Sequence, residues 1–309
     1  MDKLRALNYF LKVAETLSFT DAAKAYDVPA SSISRRVSEL EASLGVQLIH
    51  RTTRTVRLTE AGELYLRQVR VGMAQLSAAE ALVKERGNKP SGTLRISCMA
   101  GYGRIMLMPV MQAFSEEYPD ILLDVHLSDE LVDLGGDQFD ITIRGGAQPE
   151  NRVVARRLDP NRFILAASPL YLATHGTPYS LADLAGHSAL LYRGPSNVLK
   201  WMGFDGKQWI TPDVTPAFIS NDGASLLVLA CRHRGMVLLP EWSLRQYLER
   251  GELVEVALEQ PLSVSRSDQI GIFMLYLQAR YAIPKIRVAV DFIYDRLALT
   301  DLTAGRPDE

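Results

Sequence analysis

Small hydroxyl groups and one arginine share a helical face near the start of the chain. At 3.6 residues per turn, the exposed side of a helix over residues 30–43 carries Ser31, Ser34, Arg35 and Ser38. Hydroxyl and guanidinium groups can hydrogen-bond to base edges when such a face enters the major groove of DNA. A solvated helix face without a ligand explains the same pattern, so the helix alone leaves both interpretations open.

The other side of this helix is apolar. Ile33, Val37, Leu40 and Leu44 fall within about 60° of one another on the helical wheel, which predicts a stripe facing a core. Gly45 is a good helix C-cap because glycine accepts the left-handed backbone conformation. The spacing therefore predicts an amphipathic helix that ends at Gly45.

Three arginines follow within a stretch rich in threonine and valine. Thr and Val favour strands, so residues 46–59 predict a β-hairpin that carries Arg51, Arg54 and Arg57. Such a wing can follow phosphates, and the arginine at its tip can enter a narrow minor groove. An arginine-rich strand can also be no more than a soluble surface.

The sequence predicts two further helices before the helix over residues 30–43. Apolar residues at helical spacing predict a first helix over residues 4–16. Ser18-Phe19-Thr20-Asp21 is similar to a capping box, in which Ser18 accepts a free helix N–H and Asp21 reaches back. The short helix over 18–25 then ends before Pro29, which disfavours a helical residue before itself.

The segment LRALNYFLKVAETLSFTDAAKAY, followed by SISRRVSELEASLGVQLIHRTTRTVRLTEAG, resembles the DNA-binding domain of LysR-type transcriptional regulators over residues 1–65. The resemblance implies a winged helix-turn-helix at 1–58 that binds double-stranded DNA. It places four residues toward the bases: Ala30, Ser31, Ser34 and Arg35. It places Arg54 in the minor groove and Thr20, Arg36 and Arg51 at the DNA backbone. The family commonly has glutamine where this chain has Ala30, so the family's base preference does not carry over.

A long helix is predicted after the wing. Thr59-Glu60 caps it, and apolar residues recur every three or four positions up to Val83. At 1.5 Å per residue, a helix reaching Arg86 is about 40 Å long, too long to be covered by the first module. A helix of a second chain or the chain's own domains can cover it. The LysR resemblance implies self-association as a dimer or a tetramer through this linker, residues 59–88.

Strands alternate with helices after a Gly/Pro/Ser hinge at 87–92, which predicts an α/β domain with a parallel sheet over 93–309. The motifs SPLYLATHGTP, SND at 220–222 and GMVLLP resemble the LysR effector-binding region. That resemblance implies the two-lobed fold of periplasmic binding proteins. We assign 93–162 and 267–309 to lobe I, and 163–266 to lobe II.

Ligands in such folds lie between the lobes, at strand C-termini and helix N-termini, where free N–H groups attract anions. We therefore expect a small-molecule effector, with an anion among the candidates, to contact Met99, Ala100, Gly101, Tyr102, Gly103, Arg144, Asn197 and Asn221. The alternative is that the glycines only shape a turn and that Arg144 pairs with an internal acid.

Composition limits the other classes of function. The first 90 residues hold 14 Lys/Arg and 10 Asp/Glu, and the remainder 20 and 26, so a basic end joins an acidic body. No apolar run approaches the ~20 residues that span a bilayer, and two cysteines without zinc spacing favour a reduced, cytoplasmic setting. We expect no metal and no cofactor, because HExxH, GxSxG and P-loop motifs are missing. The alternatives are a cytosolic solute-binding receptor, or an enzyme, with a basic N-terminal appendage.

Overall fold

The computed structural model describes residues 2–51, 55–84, 89–130, 139–148, 153–195, 197–266 and 270–298. The chain divides into two compact units, a first one built mainly on Met1–Lys84 and a second one containing the described residues that follow.

The first unit is a three-helix core followed by a hairpin and a long helix. Its elements in chain order are α1 (Lys3–Thr16), α2 (Phe19–Tyr26), α3 (Ala30–Leu44), β1 (Ile49–Arg51), β2 (Val56–Leu58) and α4 (Glu60–Lys84). One apolar cluster joins α1, α2 and α3 to the hairpin and to the start of α4, with Phe10, Ile33, Val37 and Leu40 fully buried. The described part of this unit therefore has the order of elements that the sequence predicts.

Local capping chemistry sets the helix ends in this unit. The Ser18 side chain accepts a hydrogen bond from the Asp21 N–H, as the capping box predicts. The reciprocal half of the box is wrong, since the Ser18 N–H donates to Thr16 Oγ1 and Asp21 pairs with Lys24 instead. Gly45 ends α3 in the left-handed region, with φ of 70°. These two helix ends therefore depend on one side chain, that of Ser18, and on one glycine, Gly45.

The second unit contains two five-stranded sheets, each with helices packed on it. The first sheet has the order β4-β3-β5-β15-β6 and comprises β3 (Gly92–Cys98), β4 (Ile121–Leu127), β5 (Ile141–Ala147), β6 (Val154–Asp159) and β15 (Ile270–Tyr276). Its helices are α5 (Ala100–Tyr102), which continues through a π-turn (Gly103–Leu107) into α6 (Met108–Glu117), and α10 (Pro284–Leu297). A 3-10 turn over Gln278–Ala282 leads into α10.

The second sheet has the order β11-β8-β12-β7-β13 and comprises β7 (Phe163–Ala167), β8 (Ser188–Tyr192), β11 (Thr215–Ser220), β12 (Met236–Pro240) and β13 (Val254–Glu255). Helices α7 (Pro169–His175), α8 (Gly223–Cys231) and α9 (Glu241–Glu249) pack around it, with a 3-10 turn over Ala182–Gly186. A small sheet of β9 (Met202–Phe204), β10 (Trp209–Ile210) and β14 (Leu262–Ser263) lies beside it. Separate apolar clusters cover the two faces of the five-stranded sheet.

The expectation of a parallel sheet is wrong in part, because both large sheets are mixed. In the first, β3 runs parallel to β4 and β5, whereas β15 runs antiparallel to β5 and β6. In the second, β7 runs antiparallel to β12 and β13. Each antiparallel pairing joins strands that are far apart in the chain, which the alternation of strands and helices cannot reveal. None of the described helices is long and apolar enough to cross a bilayer.

Candidate nucleic-acid interface and inter-lobe cleft

Helix α3 separates an apolar face from a polar one. Ile33, Val37 and Leu40 are fully buried against the rest of the first unit, as predicted. Leu44 was predicted to join them and does not, since it lies in the last turn beside Gly45 and is 38% exposed. Leu44 lies on the same side of the helix as the other three residues, but within this helix the core cluster ends at Leu40, one turn before it.

The opposite face of α3 presents the residues that the family resemblance placed toward DNA bases. Ser31 and Arg35 are exposed and Ser34 is half-buried. Ala30 is also half-buried, and it packs partly against the core cluster. Thr20 is exposed in the first turn of α2. The roles of these five residues in DNA binding stay predictions.

The two neighbouring arginines of α3 share one acidic partner. Arg36 Nη1 lies 3.0 Å from Glu39 Oε2, and Arg35 Nε lies 3.5 Å from Glu39 Oε1. The Arg35 side chain is 72% exposed, so its pair with Glu39 contributes at most about 1 kcal/mol. A phosphate or a base edge can therefore compete with Glu39 for the Arg35 guanidinium at small cost.

Arg51 was predicted at the DNA backbone, which stays a prediction; in the structure its guanidinium lies on α3. Arg51 Nη1 donates to Ser34 Oγ at 2.8 Å, and Arg51 Nη2 donates to Ser38 Oγ at 3.0 Å. The same Nη2 lies 3.2 Å from Glu41 Oε2. The guanidinium also stacks over the Phe19 ring, 4.7 Å from its centroid.

Glu41 fixes the wing to α3 from the other side. Its Oε1 accepts the N–H groups of Leu48 (2.9 Å) and Ile49 (3.0 Å), so the hairpin begins at a fixed position on the helix. Strands β1 and β2 then pair antiparallel, with His50 opposite Arg57. The wing tip, residues 52–54, lies outside the described residues, and the minor-groove role of Arg54 stays a prediction.

Helix α4 starts as predicted, with Thr59 as its cap. Thr59 Oγ1 accepts the Gly62 N–H at 2.9 Å and donates to the Gln47 carbonyl. Tyr65 packs its ring against Phe10 at 5.7 Å, and Val69 is buried one turn later. Beyond this point Leu76 is 41% exposed in the single chain. The first turns of α4 are covered by their own unit, and the exposed Leu76 extends past that cover.

The segment from Met99 to Gly103 follows strand β3 as predicted, but most of it packs internally. Tyr102 is fully buried, with its ring edge-on to Trp242 at 5.2 Å. A Cβ on Gly103 would lie 2.4 Å from a methyl carbon of Leu127, so this glycine permits close packing of helix on sheet. A Cβ on Gly101 would meet the Trp242 ring at 3.4 Å, which is an ordinary contact distance. Close packing therefore explains Gly103 and does not require a glycine at position 101.

A carboxylate of the chain itself occupies the expected anion position. Asp129 Oδ1 accepts the Ala100 N–H at 3.1 Å, which is the first N–H of the helical run after β3. Asp129 Oδ2 accepts the Tyr192 hydroxyl at 3.2 Å. Because Ala100 and Asp129 belong to the first-sheet lobe and Tyr192 to the second, this carboxylate joins the two lobes. Burial, followed by the charge of Asp129, raises the pKa of Tyr192 above its ordinary value.

Arg144 lies within strand β5 rather than at its end. Its Nη2 donates to Ser97 Oγ at 2.7 Å and to the Glu130 carbonyl at 3.4 Å, and its Nη1 donates to the Ile143 carbonyl. Burial lowers the pKa of its guanidinium, and the charge of Asp129 opposes that shift. Its buried Nε has no hydrogen-bond partner among the described residues. Arg144 thus neighbours the Asp129 carboxylate and keeps one donor unused.

The two predicted asparagines are exposed. The Asn197 carbonyl accepts the Gly194 N–H in a turn, and Asn221 directly precedes Asp222, which caps α8. No hydrogen bond found among the described residues joins either asparagine to Arg144. A different residue of that region crosses between lobes, since Asp222 Oδ1 lies 3.9 Å from Arg104 Nη2.

Asp129 and Tyr192 were missed by the sequence reasoning, although a signal for both exists. Asp129 comes two residues after β4, and Tyr192 is the last residue of β8. Both strands have a parallel neighbour, and the C-terminal ends of parallel strands were the rule used to select Met99. The same rule, applied to every strand, would have named both residues.

Comparison with known proteins agrees with the architecture. Residues 4–63 match the family model "Bacterial regulatory helix-turn-helix protein, lysR family", and residues 87–298 match "LysR substrate binding domain". An uncharacterized HTH-type transcriptional regulator of Haemophilus influenzae is 32% identical over 281 residues, covering 91% of this chain and 96% of the relative. The regulator CrgA of Neisseria meningitidis serogroup C is 32% identical over 292 residues, covering 94% and 96%.

Solved structures of regulators are similar to this chain over nearly its whole length. The structure of CrgA from Neisseria meningitidis has a TM-score of 0.60 and 32% identity, covering 95% of this chain and 98% of that one. The full-length structure of the Vibrio cholerae virulence activator AphB has a TM-score of 0.59 and 29% identity, covering 95% and 99%. The predicted fold class is confirmed. This chain belongs to the LysR family, and it is a DNA-binding transcriptional regulator with a LysR substrate-binding domain.

Proposed function

We propose that this regulator binds promoter DNA with the polar face of α3 and with the wing, and that an effector between the lobes changes this binding. The observation that carries the proposal is the division of α3 into a buried apolar face and an accessible polar one. A helix held in this way can enter the major groove with its orientation fixed by the core.

The base contacts we propose are Ala30, Ser31, Ser34 and Arg35. Thr20 and Arg36 are proposed as backbone contacts, because Thr20 is exposed, Arg36 is half-buried, and phosphates accept hydrogen bonds from either group. The backbone contact expected of Arg51 stays a prediction, and the hydrogen bonds of its guanidinium to Ser34 and Ser38 compete with that contact.

Arg54→Ala tests the wing. We expect weaker binding to duplexes with a narrow A-tract minor groove and little change on G·C-rich duplexes, since arginine is attracted to the narrow groove. Fluorescence anisotropy over a range of salt concentrations measures both affinity and salt slope. Arg5→Ala serves as a matched control, because Arg5 is an exposed arginine at the start of α1. Unchanged affinity and slope for Arg54→Ala would contradict the wing assignment.

The sequence left open a solute-binding receptor with a basic appendage, and retention of DNA distinguishes that class from a regulator. The purified full-length protein should retain specific genomic fragments in a pull-down, and a receptor should retain none. The excess of arginine and lysine in the first 90 residues would give a receptor only weak, sequence-independent retention that disappears with salt.

Self-association as a dimer or tetramer is part of the proposal. Leu64 and Leu76 of α4 are 52% and 41% exposed in the single chain. In the second unit, α6 and the edge strand β4 border a groove of about 600 Å³ lined by Met108, Leu123 and Val125 together with polar side chains. Apolar surface left open in one chain is typical of protein–protein contact sites. Sedimentation velocity of wild type and of Leu76→Glu would test the contribution of α4.

The effector is proposed to be a small molecule with a carboxylate. An anion needs N–H donors and positive charge, and the Ala100 N–H and the unused Arg144 Nε offer both. Asp129 already satisfies the Ala100 N–H, so an incoming carboxylate must displace it. That displacement would also break the Asp129–Tyr192 hydrogen bond between the lobes and so couple binding to lobe movement.

We propose no catalytic activity and a cytoplasmic site of action, where promoter DNA is found in bacteria. Burial raises the pKa of the Cys98 thiol to about 12, which removes the reactive thiolate at neutral pH. Within the described ranges, no three His, Cys, Asp or Glu side chains form a group able to hold a metal ion. Turnover that Cys98→Ser or Arg144→Ala abolishes would contradict this proposal.

A further inference from the structure

The guanidinium group of Arg51 is held from four sides. It donates to Ser34 Oγ and Ser38 Oγ, pairs with Glu41, and stacks on the Phe19 ring. The Glu41 side chain is only 13% exposed, and its other oxygen is committed to two backbone N–H groups of the wing. The position of the Arg51 guanidinium is therefore set by several partners, one of which, Glu41, is itself held by hydrogen bonds to the wing.

Arginine has donors and no acceptor, so both serine oxygens must accept from it. Ser38 uses its own hydrogen to donate to the Ser34 carbonyl at 3.0 Å, one helical turn back. Ser34 does not do the same, and no described residue accepts the hydrogen of its hydroxyl. A serine hydroxyl has one donor and two acceptor positions, so the interaction with Arg51 leaves the Ser34 hydrogen available.

We propose that Arg51 is a positioning residue that presents Ser34 as a hydrogen-bond donor to the DNA. The acceptor that we assign to Ser34 is the N7 of a purine at the major-groove edge, whereas the N4 amino group of cytosine offers a donor and no acceptor. This inference rests on the proposed DNA-reading role of α3. It differs from the expectation that Arg51 contacts a phosphate, because the guanidinium is used inside the protein.

The two roles of Arg51 differ in a measurable way. Loss of a phosphate contact weakens binding to all sequences and lowers the salt slope by about 0.9 for each phosphate. Loss of a positioning residue weakens discrimination at one base and leaves the salt slope unchanged. If Arg51 were needed only for stability, its loss would reduce the amount of folded protein. The folded fraction would keep the wild-type base discrimination and the wild-type salt slope.

The experiment starts with selection of preferred duplexes from a random pool by the full-length wild-type protein. Each purine of the selected half-site is then replaced by its 7-deaza analogue, which lacks the N7 acceptor, and affinity is measured by fluorescence anisotropy. We expect one purine at which the wild type loses about three- to tenfold, the value of one hydrogen bond. Ser34→Ala should show no further loss at that purine.

Arg51→Ala should be as insensitive to the 7-deaza analogue as Ser34→Ala, and it should keep the wild-type salt slope. The double variant with Ser34→Ala and Arg51→Ala should match Arg51→Ala alone. If Arg51→Ala folds poorly, Arg51→Lys keeps the charge but cannot hold both hydroxyls, so it should also lose the N7 effect. Ser43→Ala is the matched control, because the Ser43 hydroxyl donates to the Leu40 carbonyl of its own helix. It should behave as wild type.

A lower salt slope in Arg51→Ala, or an N7 effect that survives in Arg51→Lys, would overturn the proposal. A wild-type N7 effect that survives in Ser34→Ala would overturn it as well. If the wild type selects no duplex at all, the proposed reading of DNA by α3 itself fails, which is a separate and distinguishable result.

Discussion

Replacement of Asp129 by alanine should open an anion site that free carboxylate can fill. The Asp129 carboxylate accepts the Ala100 N–H at 3.1 Å and the Tyr192 hydroxyl at 3.2 Å. A hydrogen bond to a charged group contributes about 1.5–3 kcal/mol when buried, and Asp129 is half-buried. We therefore expect Asp129→Ala to lower the free energy of unfolding of the second unit by about 2 kcal/mol. For a unit of this size, that corresponds to a Tm lower by about 4–8 °C.

Acetate should then restore stability to the variant alone. If acetate binds with a Kd on the order of 10 mM, then 100 mM acetate stabilises the folded state by about 1.4 kcal/mol, or roughly 3–5 °C. The wild type should gain almost nothing, because its own carboxylate already occupies the position. Differential scanning calorimetry with sodium chloride at equal ionic strength separates binding of acetate from a general effect of salt.

Glu130→Gln is the matched control for this test. Glu130 is the next residue, carries the same charge, and is exposed. Its carbonyl, which the substitution keeps, accepts from Arg144. The control should lose little stability and should not respond to acetate. Equal stabilisation of Asp129→Ala by acetate and by chloride, or equal stabilisation of wild type and variant by acetate, would refute the competition between Asp129 and the effector.

Two further predictions follow from packing and burial. Gly62→Ala should destabilise the first unit by at least about 2 kcal/mol in urea unfolding, because the new Cβ would lie only 2.0 Å from the Leu48 carbonyl oxygen. Gly72→Ala on the same helix meets no atom within 4 Å and should instead stabilise by up to about 1 kcal/mol. Thiol labelling at pH 8 should miss Cys98, whose pKa of about 12 leaves little thiolate, while half-buried Cys231 reacts slowly and faster as pH rises. Rapid labelling of Cys98 in the native protein would contradict the burial that the structure assigns to it.

Elements whose causes are local could be predicted from the sequence. The Ser18 cap, the glycine end of α3 at Gly45 and the Thr59 cap all depend on neighbours within three residues. The predicted burial of the apolar stripe of α3 is confirmed for Ile33, Val37 and Leu40 and wrong for Leu44. A helical wheel gives the direction of a side chain but does not show where along the helix the core ends. Strand pairing in the second unit is not local, so the antiparallel return of residues 270–276 was beyond this kind of reasoning.

The site residues show the same limit more sharply. Sequence reasoning placed Arg51 on DNA and an effector's carboxylate at Ala100, since it assigned each charged or donating group to an external partner. In the folded chain, Arg51 lies on Ser34 and Ser38, seventeen and thirteen residues away. The Ala100 N–H is taken by Asp129, twenty-nine residues away. The residue types indicated which hydrogen-bonding groups are present. Only the fold showed that these groups already have partners within the chain.

On the two proposals made for Asp129 and Arg51, internal partners set the selectivity of this regulator for its external ligands. A tethered group competes at an effective concentration in the millimolar range or higher, so any ligand must displace it or use what it leaves free. Asp129 represents the first case, because an effector must replace its hydrogen bonds to Ala100 and Tyr192 and thereby releases a contact between lobes. Arg51 represents the second case, because it stays in place and leaves one hydrogen on Ser34. In this view the effector must supply a better anion than Asp129, whereas the DNA must supply an acceptor opposite Ser34.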